Sequence, residues 1–525
     1  MFAAASAVSQ FHELVLSMAP SSTPSSQASN PPTLVVLEST SNLMTKVQLS
    51  GGGRCNVLHD TNKPLATILQ GYPRGRKELQ GIMTSEFGPV QAKAWFEQRG
   101  VQLKTEGDGR MFPTTDSSQT IVDTIYKAVV VNSTSYGRNH HHTTPTVRIE
   151  QNQRVVSVHR VDDTLEKNHN ATTSTSTDTH TSYFQVLTTT SDHNIHVTWN
   201  FHTIIFATGS SRTGYDMAAS LGHNIISPVP SLFTLSTKKL IQPGGVFYDL
   251  AGISVPKVQL TWIFTDTDVV SSTSTITITN HKKRTKKIQI QQEGPLLITH
   301  VGISGPASLK LSAFGAREFH QAQYTCNITI HWIPDLGSTK KQVEDILWSF
   351  VSMYPKRKVS SYFPFQEDDK DNNNHNSILN NTPSSSSSSS NNSPMIPKRL
   401  WTALVSASGV LSYNKKDEDE NDLTWGDMSK AKIRQLSKTL CEFTLPISGK
   451  GVFKDEFVTA GGICLKSVNM KSMESKIQPG LYFCGEMLNV DGVTGGYNFM
   501  NCWSTGYVAG KNAMNRCFVR WMKNV

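Results

Sequence analysis

The run Gly480-Leu481-Tyr482-Phe483-Cys484-Gly485-Glu486, followed by Asp491-Gly492-Val493-Thr494-Gly495-Gly496-Tyr497-Asn498, constrains this chain more than any other stretch. Its first part is a short apolar segment bounded by glycines, the pattern of a buried strand. A glycine loop follows, and a helix is expected to begin near Gly495–Asn498. That helix continues through Trp503-Ser504-Thr505-Gly506-Tyr507-Val508-Ala509-Gly510, whose small residues at helical spacing permit close packing on a neighbour. A helix start preceded by glycines presents free N–H groups and the positive end of the helix dipole. Such a place suits a phosphate, or the electron-rich edge of a reduced ring system.

A second glycine-rich site lies near the other end of the chain, in Lys46-Val47-Gln48-Leu49-Ser50-Gly51-Gly52-Gly53-Arg54-Cys55-Asn56. Three consecutive glycines carry no Cβ, so their backbone N–H groups can approach an anion closely. Arg54 adds a guanidinium, and Ser50 and Asn56 add short hydrogen-bonding groups. A plain glycine turn is the competing reading. Just upstream, Thr33-Leu34-Val35-Val36-Leu37-Glu38 is a short apolar strand ending in an acid. An acid there is where dinucleotide folds accept hydrogen bonds from ribose hydroxyls, and it is also an ordinary surface position. Cys55 beside Arg54 could be an activated thiolate, but no base accompanies it in the sequence, and a small packed cysteine is the simpler reading. Cys484 reads as core. Neither site carries a Ser–His–acid spacing, an H-E-x-x-H or a G-x-x-x-x-G-K-[ST].

Composition sets the frame around these sites. The chain has 525 residues, about three domains' worth. Only 17% of residues are charged, against roughly 25% in average globular proteins, which points to neutral polar filler. The filler lies at 19–32, 132–146, 163–182 and 366–397, the last running into Ser384–Ser390. Such segments bury too little apolar surface to offset their ordering entropy, so loops or disorder are expected. His140-His141-His142 falls inside one of them and reads as a repeat before it reads as a metal site. The net charge of +9 is a weak hint of anionic partners, and the basic run His281–Lys287 reads as a solvated hairpin tip. Seven cysteines without paired C-x-x-C spacing argue against a disulfide framework or a zinc site, with a reducing compartment as the default. No window approaches 18 apolar residues, so no membrane span is expected. Between the fillers, helical patterns at 1–18, 76–99 and 117–131 alternate with strands at 33–38, 146–149, 154–158, 183–189 and 196–207. The stretch 225–335 is strand-rich, 338–440 is helical, and the last 75 residues return to strand, glycine turn and helix.

Both glycine sites, with several pieces between them, resemble one family, the BaiN/YhiN-like FAD- and NAD(P)-dependent oxidoreductases. The matching pieces run in the family's order: Leu37-Glu38, Ser50–Asn56, Gly109-Arg110-Met111-Phe112-Pro113, Ala207-Thr208-Gly209, Ala251–Val255, Thr299–Ala307, Val458–Gly462 and Met473 through Gly510. The resemblance implies an α/β fold, a two-dinucleotide-binding-fold (Rossmann-like) FAD domain with an inserted β-rich domain and a small helical domain. In that organisation 1–224 and 451–525 form the FAD domain, 225–335 the β-rich insert, 336–440 the helical insert with loop 366–397, and 441–450 a return strand of the β insert. It further implies that Glu38 binds the adenosine ribose of FAD and that Gly51 to Asn56 lie along the pyrophosphate and flavin, with Lys46 and Ser50 also among the cofactor-binding residues. The strand around Val155 would meet the adenine through its backbone, and Ala207-Thr208-Gly209 would cross under the cofactor. Gly485-Glu486 and Asp491-Gly492 would hold the ribityl chain. Gly495-Gly496-Tyr497-Asn498 would face the pyrimidine edge of the flavin. Tyr497, His300 and Arg110 are the residues the resemblance brings near the cavity, and none of them is assigned as a catalytic acid.

Two departures accompany the resemblance. Family members open with a strand and a G-x-G-x-x-G turn, whereas Met1-Phe2-Ala3-Ala4-Ala5-Ser6-Ala7 resembles the helix that follows that turn. The sequence is therefore expected to be an N-terminally shortened version, lacking about 15–25 residues on the usual size of a strand and turn. After Thr208, Gly209-Ser210-Ser211-Arg212 leads straight to Thr213-Gly214-Tyr215, where the family has a longer loop. The expected function is reduction of FAD by NAD(P)H and of a small organic acceptor by the flavin, with no nucleic acid and no membrane as partners. A flavin-poor binding protein is the competing reading, and an RNA-acting flavoprotein ranks last.

Overall fold

The computed structural model describes residues 1–17, 31–130, 145–162, 182–190, 195–265, 287–360, 396–411, 423–451 and 458–523. The polar filler segments, His140–His142 and the basic run from His281 to Lys286 lie almost wholly outside the described residues. The chain divides into two compact units, 1–229 with 458–525, and 230–457.

In the first unit, the sequence Phe2–Leu16 forms a helix whose first two turns carry four alanines, Ala3, Ala4, Ala5 and Ala7, the strongest helix former. It packs on the long C-terminal helix Tyr497–Lys523, and the two run in the same direction. Phe2 meets Trp503 with ring centroids 4.9 Å apart, the Ser6 hydroxyl donates to the Tyr507 carbonyl, and Phe11 meets Phe518 and Trp521. The approach depends on Gly510, where a Cβ would stand 2.1 Å from the Ala3 carbonyl oxygen. Ala5, Val8 and Phe11 are fully buried, and Phe11 alone contributes about 1.5–3 kcal/mol by burial.

Two parallel strand pairs accompany these helices. Thr33–Leu37 pairs with Thr146–Glu150, and Ile204–Phe206 pairs with Leu481–Phe483. Leu481, Tyr482 and Phe483 are buried, as expected of an apolar run without alternation. An acid or a glycine follows each chemistry-bearing strand: Glu38 after Leu37, Ala207-Thr208-Gly209 after Phe206, and Cys484-Gly485-Glu486 after Phe483. The carboxyl ends of parallel strands are where open α/β sheets bind ligands. An antiparallel meander of Gln153–Asp162, Ser182–Thr190 and His196–Phe201 completes this part of the unit. The stretch 196–207 reads as one strand, but His196–Phe201 belongs to the meander and Ile204–Phe206 to the parallel pair. The chain changes sheets at His202-Thr203, and apolar periodicity does not mark such a change.

The second unit is built on a seven-stranded sheet in the order Phe443–Ile447, Cys326–His331, Ser254–Thr265, Lys287–Ile298, Gly302–Ser304, Leu235–Ser236, Gly449–Lys450. Ser254–Thr265 and Lys287–Ile298 pair antiparallel out to Thr265 and Lys287, the residues flanking the expected hairpin tip. Leu260, Trp262 and Ile330 from the strands share one core with Leu347, Trp401, Leu404 and Ile433 from the helices. The strand-rich and helical stretches thus bury their apolar faces against each other. Among the described residues no helix is long and apolar enough to cross a membrane.

Candidate functional site

The glycine loop before the C-terminal helix is held from two sides. On one side, Arg74 donates through Nε and Nη2 to the two carboxylate oxygens of Asp491, whose side chain is 1% exposed. The Tyr72 hydroxyl donates to the Tyr497 carbonyl at 2.7 Å, and the Val493 N–H donates to the Gly71 carbonyl. Gly71 has to be glycine, since a Cβ there would stand 2.3 Å from the Tyr497 ring. On the other side, Trp503 Nε1 donates to the Val57 carbonyl at 3.0 Å, and the His59 ring lies 4.7 Å from that of Tyr497. Within the loop the Asn498 side-chain amide closes a ring with Gly492, accepting from its N–H and donating to its carbonyl. Gly495 and Gly496 both have positive φ, and the helix starts at Tyr497.

The second glycine site takes the conformation that only its composition allows. Gly51, Gly52 and Gly53 all have positive φ, and so does Cys55. Where a Cβ would stand on Gly52 or Gly53 there is no atom within 4 Å, so their backbone borders open space. The Ser50 hydroxyl donates to the Val47 carbonyl, and the Ser50 carbonyl accepts from the Cys55 N–H. Arg54 stacks over Phe112 at 3.9 Å and is paired with both Glu106 and Asp116. Its charge is answered inside the protein, so it braces the antiparallel pair Leu103–Thr105 and Arg110–Pro113 against the glycines rather than offering an open cation. Arg110 is likewise paired, with Glu106 and Asp108. Cys55 is fully buried and burial pushes its thiol up to about 11, which makes it a packed residue rather than a thiolate. Cys484 is pushed up to about 11 by the same cause.

Residues far apart in sequence meet at the strand ends. Lys46 Nζ lies 2.7 Å from Glu486 Oε2, and a Cβ on Gly209 would stand 3.3 Å from that nitrogen and 3.5 Å from that oxygen. Gly485 is anchored by the C-terminal helix: its N–H donates to Thr505 Oγ1 at 2.9 Å, and Asn501 donates to its carbonyl. The Thr208 hydroxyl points to the Met487 sulfur, and the Tyr215 hydroxyl donates to the Glu486 carbonyl. Burial, then the nearby Glu486 charge, pushes the Tyr215 phenol up to about 12. Ala207 is exposed. The Glu38 carboxylate accepts through Oε1 from the N–H and hydroxyl of Thr40, and its carbonyl accepts from the Gln153 N–H. Val155 follows two residues later, at a register shift in the meander that turns Val156 outward. His300 lies in the second unit and is exposed.

His59, Tyr72, Arg74, Asn501 and Thr505 escape a reading of the sequence. Asn501 and Thr505 left one trace, polar residues four apart and so on one face of the helix. Burial lowers the His59 pKa, with Lys63 adding to the effect, and burial pushes the Tyr497 phenol up to about 12. Among the described residues no three His, Cys, Asp or Glu side chains gather to hold a metal ion.

These features fit an elongated anionic cofactor. Open positive-φ glycines, an acid after Leu37, a Lys–Glu pair beside Gly209 and a glycine turn at a long helix's start supply the groups such a molecule needs. The chain is 26% identical over 308 residues to a 3-dehydro-bile acid delta(4,6)-reductase of Clostridium scindens, covering 59% of this chain and 59% of that protein. It is 24% identical over 306 residues to a ribosomal RNA dihydrouridine synthase of Escherichia coli, covering 58% and 56%. It therefore spans less than two thirds of the length of these curated relatives. Among solved structures it resembles E. coli quinol fumarate reductase with a TM-score of 0.40 at 10% identity, over 99% of this chain and 69% of that one. The model of the HI0933-like protein Rossmann domain matches residues 23–512, which takes in the motifs from Leu37 to Gly510. The chain belongs to the HI0933-like Rossmann-domain family.

Proposed function

We propose that the chain is a FAD-dependent oxidoreductase that takes electrons from NAD(P)H and passes them to a small organic acceptor. The observation that carries this reading is the meeting of Lys46, Gly209 and Glu486 at the carboxyl ends of Ile204–Phe206 and Leu481–Phe483, beside open glycines and the start of the C-terminal helix. Bound FAD would supply the hydride chemistry. The protein's own groups bind, orient and shield. Glu38, with one oxygen already held by Thr40, has its other oxygen for a ribose hydroxyl. The exposed backbone of Gly51 to Gly53 suits a pyrophosphate. The dipole of Tyr497–Lys523 favours negative charge at its start, and the ring cluster of His59, Tyr72 and Tyr497 keeps water from that end of the site.

The acceptor we favour is a carbon–carbon double bond conjugated with a carbonyl, the group named in the activity of the 3-dehydro-bile acid delta(4,6)-reductase. Uracil contains the same group, and two relatives are named as ribosomal RNA dihydrouridine synthases, so an RNA uracil is the second reading. Anaerobic mixing of the FAD-loaded protein with NADPH or NADH, followed by an enone or by a ribosomal RNA fragment, tests both. Bleaching of the flavin by the nucleotide and its recovery with one acceptor supports that acceptor. A flavin that no nicotinamide bleaches overturns the proposed reductant.

A further inference from the structure

We infer that His59 is a positioning residue that, together with Asn56, locks the orientation of the Gly495–Gly496 peptide at the start of the C-terminal helix. His59 ends the two-residue strand Leu58–His59 and is 7% exposed. Its Nδ1 lies 3.1 Å from the Gly495 carbonyl oxygen. A carbonyl only accepts, so Nδ1 carries the proton and donates. Nε2 is then an acceptor, and it faces the Lys63 ammonium at 3.2 Å. The Gly495 carbonyl thus sets the neutral tautomer, and Lys63 only faces the nitrogen that this tautomer leaves as an acceptor. The ring is backed by Gly109, where a Cβ would stand 2.7 Å from Cε1.

The other end of the same peptide is also held. With its amide oriented to satisfy both neighbours, Asn56 accepts from the Gly496 N–H at 3.0 Å and donates to the Leu58 carbonyl at 3.1 Å. A peptide between two glycines, each at positive φ, has no Cβ to resist a flip of its plane. Here two side chains fix it by its oxygen and its nitrogen. The carbonyl is thereby turned towards His59 and the N–H towards Asn56. On the reading that FAD sits at this turn, on which the inference rests, a flipped carbonyl would face the electron-rich reduced ring and disfavour it.

The shapes of Asn and Gln separate this role from a general packing role. Asparagine places an N–H near the position of Nδ1, whereas glutamine reaches the position of Nε2. His59→Gln is expected to raise hydrogen exchange at the Gly496 amide about tenfold in the cofactor-free protein, the worth of one lost buried hydrogen bond. It is also expected to lower the midpoint potential of bound FAD. His59→Asn should restore both towards the parent protein, and Lys63→Met should move neither. Asn56→Ala releases the same peptide from its other end and should reproduce the exchange effect, which keeps the test open if a His59 variant fails to fold. Unchanged exchange in both His59→Gln and Asn56→Ala overturns the lock, as does a Lys63→Met variant that behaves like His59→Gln. A parent protein that binds no FAD, with the exchange pattern as described, refutes the cofactor site while leaving the lock standing.

Discussion

Replacing Arg74 with methionine removes the cation from a carboxylate that is 1% exposed. Arg74 itself is 15% exposed, so both charges have left water and each depends on the other. Breaking such a pair from one side costs about 3–5 kcal/mol, because a buried charge loses its bidentate partner. That is a large share of the roughly 5–15 kcal/mol that separates a folded domain from its unfolded chain. Removing both charges, in Arg74→Met with Asp491→Asn, leaves no buried ion and should cost less than the sum of the single changes. A coupling energy of about 2–3 kcal/mol is expected, within the range seen for residues in direct contact. The assay is urea unfolding of the four proteins of the cycle, with the slope checked for constancy. Because Tyr72 and Gly71 tie the neighbouring segment to Tyr497 and Val493, the single variants should also loosen the glycine loop and weaken FAD binding. A loss below about 1 kcal/mol for Arg74→Met, or strict additivity, would show that the pair is solvated and the reasoning wrong.

Three further outcomes follow from the packing and the titrating groups. Gly510→Ala forces the two long helices apart and should cost about 1–3 kcal/mol, whereas Gly81→Ala, with nothing within 4 Å of its Cβ inside the helix Arg76–Ser85, should stabilise by up to about 1 kcal/mol; thermal unfolding of both decides. Burial lowers the pKa of His59, His223 and His331, so the unfolded chain takes up protons before the folded one. Stability is therefore full above the ordinary histidine value of about 6.5 and falls as the pH drops through it, and an unfolding midpoint that stays flat from neutral to mildly acidic pH would contradict this. Cys55 and Cys484, both buried and with thiols pushed up to about 11, should resist maleimide at neutral pH until the protein is denatured; peptide mapping that finds either modified in the native protein refutes their assignment as packed cysteines.

How far the sequence could be read depended on the distance over which each residue acts. The apolar run Leu481–Phe483, the positive-φ glycines at 51–53 and 495–496, and the alanine-rich first helix announce themselves through neighbours in the chain. Partners do not. Arg54 reads as an available cation until Glu106 and Asp116, 52 and 62 positions away, are seen to neutralise it. Asp491 reads as a ligand group, yet both of its oxygens are taken by Arg74, 417 positions away. His59 carries no local signal, because its role comes from a carbonyl on the far side of the second unit's sequence. The sheet change at His202-Thr203 was hidden because both strands on either side are apolar enough to read as one. Pattern reveals elements and turns, and charge pairing across hundreds of residues decides what those turns can bind.

The measurement that bears most directly on the whole account is an equilibrium titration of the purified, cofactor-free protein with FAD, followed by flavin fluorescence. It is run on the parent chain, on Gly496→Ala and on Gly81→Ala. A Cβ at position 496 would stand 2.3 Å from the Leu58 carbonyl carbon, so that substitution must move the turn, whereas position 81 is open. The account predicts saturable binding of one FAD by the parent chain and by Gly81→Ala, and binding weakened at least about tenfold by Gly496→Ala, the worth of one displaced hydrogen bond. A parent chain that stays free of FAD in excess cofactor, or a Gly496→Ala variant that binds it as tightly, would contradict the site.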